Sequence, residues 1–220
     1  VLRGYPLGAF MALDTRNETM RFRPRPLAGA PDTGVNPGLL LLDGQQRLTT
    51  LYHCFRGEGF VDTTDFRSKK VSRKYYVDLR IATSEDIMPD EAVFAVNQHG
   101  ELRSHFAPDI EGSLNNREAA IEECCIPVSA LLIEEGTSML FELAAANDGA
   151  TRDVVAAFNN RILRPLSGYT VPMIRLSRET ASAGIGSIFA QVNSAGLQMD
   201  VFDLLTAVFA SEAVSYTHLR

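Results

Sequence analysis

The chain has 220 residues, enough for one large domain or two small ones. Hydrophobic residues make up 45% and charged residues 22%, and no run approaches the apolar length needed to cross a bilayer, so an ordinary globular fold is expected. The net charge of −6 disfavours a surface that grips nucleic acid non-specifically over its whole extent.

In chain order, Pro6 and Gly8 bar a helix near the start, and the apolar stretch from Ala9 to Leu13 suits a strand. Residues 15–36 are polar and rich in Arg, Pro and Gly, which predicts a loop or hairpin insertion. Leu39 to Leu42, bounded by Pro37-Gly38 and Asp43-Gly44, predicts a short buried strand. Leu48, Leu51, Tyr52 and Phe55 then fall on one helical face. A polar connection is expected over 57–70, a strand over 75–81, and another at Phe94 to Val96 before the turn Asn97-Gln98-His99-Gly100. Helices are expected over 138–147 and 151–163, the latter with Val154, Val155, Phe158 and Ile162 on its apolar face. A strand over 169–176 carries Pro172, which restricts it to an edge or bulge. Two last helices present Ile185, Ile188, Phe189 and Val192, then Phe202, Leu205, Val208 and Phe209, with Asp200 capping the second. The class is α+β: a small mixed sheet first, then a mainly helical C-terminal part.

The cysteines are Cys54, Cys124 and Cys125, an odd count with no C-x-x-C pair. That argues against a disulfide framework and a zinc site, and reduced thiols with no signal peptide point to the cytoplasm. The chain begins at Val1, and residues 214–220 break the preceding helical pattern without a cap. A domain over 1–213, truncated at its N-terminus, followed by a non-native tail is the resulting expectation.

The strongest polar concentration is Asp43-Gly44-Gln45-Gln46-Arg47, where the predicted strand hands over to a helix. Free backbone N–H groups and the positive end of the helix dipole favour an anion at such a corner. The competing reading makes Asp43 an N-cap, Gly44 a turn residue and the rest solvated first-turn residues. A second concentration runs from Asn193 to Asp203. There Asn193 and the Gly196 turn either offer an amide and N–H groups to a ligand or simply join two capped helices. Arg21, Arg23 and Arg25 alternate with Phe22, Pro24 and Pro26, forming an extended basic arm or a solvated loop. The histidines, His53, His99, His105 and His218, are scattered and make no metal pattern. No phosphate loop of the G-x-x-x-x-G-K type and no G-x-S-x-G elbow is present.

Three ordered blocks together carry a resemblance: Gly4-Tyr5-Pro6-Leu7-Gly8, then Leu42 to Leu51, then Ile188 to Gly196 with Asp203-Leu204. They resemble the N-terminal domain of GmrSD-type restriction endonucleases, described as having a ParB/sulfiredoxin-like fold. The resemblance implies binding and hydrolysis of a nucleoside triphosphate with Mg2+, coupled to bacterial, anti-phage restriction of foreign or modified DNA. The family's D-G-Q-Q-R motif maps onto Asp43, Gly44, Gln45, Gln46 and Arg47. It implies Asp43, Gln45, Gln46 and Arg47 as the catalytic set, with Asp43 also the metal ligand. Gly44, Thr49, Asn193 and Gly196 are the expected nucleotide-binding residues. Arg47 can bridge phosphate oxygens, and Gln45 or Gln46 can position the attacking water.

Two departures stand out. Gln191 occupies a place where many relatives carry Arg, and the segment those relatives carry upstream of Gly4 is absent. The family's frequent nuclease domain of the His-Asn-His type is also absent, so DNA contact is expected through the full-length protein with such a nuclease as partner, and no membrane. The readings from other classes are a non-catalytic DNA-binding module and an inactive fragment of such a protein.

Overall fold

Phe10–Asp14 forms strand β1, and Leu39–Asp43 pairs with it antiparallel as β2. Met173–Leu176, β7 in chain order, lies parallel on the other side of β1, so the sheet order is β2-β1-β7 and the sheet is mixed, as expected. β1 is central, and Phe10, Met11, Ala12 and Leu13 are all buried. β2 is at an edge, and there the expectation of a buried strand fails: Leu39 is exposed and Leu40 to Leu42 are only half-buried. Pro172 stands just before β7, where its missing N–H costs no ladder bond, and its carbonyl accepts from the N–H of Phe10 at 2.9 Å.

The computed structural model describes residues 7–15, 25–65, 67–85, 89–102, 110, 112–145 and 149–176. These form two units. One takes 7–15, 25, 32–45 and 171–176 and holds the sheet just described; the other takes 26–31 and 46–170. Arg21, Arg23, the Asn193 to Gly196 joint, and the helices expected around Ile188 and Leu205 lie outside the described residues.

The second unit is built on a long strand. Phe60–Thr64 (β3) and Val93–Val96 (β5) flank Lys70–Asp78 (β4), both antiparallel, and Cys125–Pro127 (β6) also pairs with β4. β3 lies inside the stretch expected as a polar connection. The β-branched Val61, Thr63 and Thr64 favour a strand despite Asp62, and only Val61 is buried. The sequence predicts a strand through Ile81. β4 stops at Asp78, because that buried carboxylate accepts from the backbone N–H groups of Arg80 at 2.8 Å and Ile81 at 3.1 Å. This N-cap turns Leu79–Thr83 into helix α2.

The remaining helices cover this sheet. Arg117–Glu122 (α3) is capped by Asn116, whose side chain accepts from the N–H of Ala119 at 2.8 Å. Glu134–Ala145 (α4) begins four residues before the expected start, with Glu134 and Glu135 in its first turn, where the helix dipole favours them. Gly149–Phe158 (α5) runs into a π-type turn, Asn159–Leu163, and then into Arg164–Ser167 (α6). The wide turn falls at Arg161, the residue whose carbonyl the ring of Pro165 would strike in an uninterrupted α-helix. Val77, Leu79, Ile126, Met139, Phe158 and Ile162 form the heart of one apolar core in this unit. Among the described residues no helix is long and apolar enough to cross a membrane.

Candidate functional site at the strand-to-helix corner

The motif Asp43 to Arg47 occupies the corner foreseen from its flanks. β2 ends at Asp43, Gly44 stands alone, and helix α1 spans Gln45–Phe55. Asp43 is therefore a strand residue, and Gly44 is the one in the N-cap position. Gly44 is buried at φ 88°, a left-handed conformation that a side chain at this position would strain. This is why a glycine stands between the two elements.

The pairing of β2 holds a feature that periodicity alone does not reveal. Leu41 is opposite Ala12, but Asp43, two residues on, is opposite Met11, so Leu42 is an extra residue in the ladder. Such an insertion breaks the alternation of faces. Without it Leu41 and Asp43 would share a face; with it Asp43 shares the face of Met11, Leu13 and Leu40. The insertion thus re-aims the carboxylate just before the chain turns into the helix.

The boundary between the two units falls within the motif, between Gln45 and Gln46. In the first unit, the Gln45 side-chain amide donates back to the carbonyl of Leu41 at 3.4 Å, a long bond that leaves the residue exposed. In the second, Gln46 is exposed and Arg47 and Thr49 are half-buried in the first turns of α1. The carbonyl of Gln46 accepts from the hydroxyl of Thr50 at 3.0 Å. The structure thus brings Asp43, Gly44 and Gln45 to one strand end and Gln46, Arg47 and Thr49 to one helix start. Asn193 and Gly196 lie outside the described residues. His53, on the same helix, packs edge-on to Tyr52 and against Gly29, where an added Cβ would lie 2.4 Å from its ring.

Among the described residues no three His, Cys, Asp or Glu side chains converge as a metal cage. One carboxylate, Asp43, suits an ion that arrives with a triphosphate, because Mg2+ usually takes one or two protein carboxylates and fills its shell with phosphate oxygens and water. In the same unit as Asp43, an ion pair missed from the sequence joins Asp14 on β1 to Arg175 on β7. Only the parallel register, Ala12 opposite Arg175, brings those residues within reach.

A small mixed sheet feeding a helix through a glycine corner, followed by helices around a second sheet, defines an α+β domain. The model of the family "GmrSD restriction endonuclease, N-terminal domain" matches residues 1–210. The chain belongs to that family. It is also similar, at 24% identity over 213 residues, to the uncharacterized protein MJ0686 of Methanocaldococcus jannaschii. That alignment covers 92% of this chain and 34% of the relative, so the chain spans about a third of the relative's length.

Proposed function

We propose that this domain binds a nucleoside triphosphate with Mg2+ at the Asp43–Arg47 corner, hydrolyses it, and so regulates a restriction system that acts on foreign or modified DNA. The observation that carries the reading is the D-G-Q-Q-R motif seated on a left-handed glycine at the start of an eleven-residue helix, in a chain of the GmrSD family. The roles follow from residue chemistry. The Arg47 guanidinium can grip phosphate oxygens bidentately, and the backbone N–H groups of the first turn of α1 add donors for the same anion. Asp43 would hold the metal, which neutralises phosphate charge when bound. Gln45 or Gln46 would orient the attacking water. For Gln45 this requires release of its long bond to Leu41, which costs little at an exposed position. Gly44, Thr49, Asn193 and Gly196 are the proposed lining of the nucleotide. Contact with DNA and with a His-Asn-His type nuclease belongs, in this proposal, to the longer protein.

Turnover of GTP, ATP and CTP with magnesium, measured on the wild type and on Asp43→Ala and Arg47→Ala, tests the assignment. Loss of turnover in both variants is expected. Wild-type turnover that survives both substitutions overturns it.

A further inference from the structure

In the second unit β4 changes partners along one edge. β3 pairs with Lys70 to Lys74 and β6 with Tyr76 to Asp78, while β5 holds the opposite edge over Lys74 to Val77. At the changeover a cavity of about 440 Å3 opens, floored by Phe60, Lys74, Tyr76 and Pro127. Its size falls in the range of small-molecule sites.

One wall is preformed. The turn Asn97 to Gly100 meets Leu114 so closely that a Cβ on Gly100 would lie 2.5 Å from the Leu114 backbone carbon. The N–H of Leu114 donates to the carbonyl of Gly100 at 2.9 Å, and the Tyr76 hydroxyl donates to the Leu114 carbonyl at 3.1 Å.

The charges lining the cavity are unbalanced in a specific way. The Lys74 ammonium lies 5.9 Å from the centroid of the Phe60 ring and 5.7 Å from that of Tyr76. Among the described residues its side chain makes no ion pair and no hydrogen bond. Ring faces alone are weak partners for a half-exposed ammonium, so an anionic group placed there would complete it. The exposed carboxylates of Glu58 and Glu135 also line the cavity. Among the described residues, one cation against two anions disfavours a polyanion such as a triphosphate and offers a second partner to a ligand that also carries a cation.

We propose that this cavity binds a small zwitterion of amino-acid type, its carboxylate on Lys74 and its ammonium on Glu58 or Glu135. A free amino acid and a short peptide carry the same two groups at different separations. The proposal does not rest on the nucleotide corner, since none of Asp43 to Arg47 lines this cavity.

The test is the melting temperature of the whole chain with each proteinogenic amino acid, with dipeptides, and with the carboxamide and N-acetyl derivatives of any that bind. A free amino acid or a dipeptide is expected to raise the melting temperature, and which of them does so fixes the source. Its carboxamide and N-acetyl forms are expected to fail. Lys74→Met, which keeps the contact with the rings, and Glu58→Gln with Glu135→Gln are each expected to weaken binding about tenfold or more. Should Lys74→Met not fold, the derivatives and the exposed glutamate pair decide alone. No stabilisation by any zwitterion, equal stabilisation by the carboxamide, or affinity unchanged in the foldable variants would each overturn the proposal.

Discussion

The carboxylate of Asp78 and the guanidinium of Arg80 meet at 3.4 Å where β4 turns into α2. Arg80 also donates to the carbonyl of Glu123 at 2.7 Å, tying this corner to the residues before β6. Asp78 is 2% exposed, so its oxygens have little access to water and depend on these partners. Asp78→Ala removes the cap and leaves the N–H groups of Arg80 and Ile81 without it, an expected loss of about 2–3 kcal/mol. Asp78→Asn, which keeps one oxygen in place, should lose about half as much. Urea denaturation midpoints with the slope held constant measure both. A midpoint unmoved by Asp78→Ala would show that α2 does not need its cap.

At Gly44 the backbone, not the side chain, sets the expectation. A φ of 88° penalises any Cβ, and Gly44→Ala should cost about 1–2 kcal/mol, with Gly44→Asn milder because Asn tolerates left-handed backbone better. If the corner holds a triphosphate, Gly44→Ala should also reduce the rise in melting temperature produced by magnesium nucleotide. Unaltered stability in Gly44→Ala would mean that the turn relaxes into an ordinary conformation.

Where the sequence was legible, a single physical cause dominated. Phe10 to Leu13 read as a strand because Gly8 and the unbroken apolar run agree, and Val154, Val155, Phe158 and Ile162 read as a helix because one face is apolar. The strand-to-helix corner was equally plain from Leu39 to Leu42 and the period after Arg47. Misreadings arose where a local apolar pattern met a tertiary or capping effect. Leu79-Arg80-Ile81 alternates like a strand, but the Asp78 cap overrides the alternation. β3 carries Asp62, Thr63 and Thr64 within a polar stretch, yet β4 supplies a partner that its own sequence does not announce. The early start of α4 was hidden by Gly136, which sits against the Ala130 carbonyl where a Cβ would lie 2.2 Å away. The face of Asp43 was beyond the sequence altogether, since the extra residue at Leu42 exists only relative to β1.

Alkaline pH should destabilise the domain through Tyr76. Burial, then the neighbouring Cys125 and Glu135, push its phenol from 10.0 up to about 12. The folded state therefore holds this proton where the unfolded chain has released it. The contribution of Tyr76 is fully present below about pH 10 and is lost as pH rises toward 12, by on the order of 2 kcal/mol. The thiols of Cys124 and Cys125, also raised chiefly by burial, act in the same direction from lower pH. Tyr76→Phe loses the bond to Leu114 at every pH, but its stability should fall less steeply between pH 10 and 12. Chemical denaturation across that range compares the two slopes. Equal slopes would remove Tyr76 as the source.

The three thiols should react in a fixed order. Cys54, on α1, is half-buried, whereas Cys124 and Cys125 are buried, and the Cys125 thiol is directed at the Glu123 carbonyl at 3.3 Å. Burial raises all three above the ordinary thiol range, so none is a ready thiolate at neutral pH. Reaction with iodoacetamide then depends on exposure and on local opening. In the native protein a single adduct on Cys54 is expected first, with Cys124 and Cys125 alkylated only slowly or after addition of urea. Peptide mass spectrometry over a time course reads the order directly. Modification of Cys124 or Cys125 as fast as Cys54 would mean that the corner held by Asp78, Arg80 and Glu123 opens readily. It would then contradict the stability expected from the Asp78 cap.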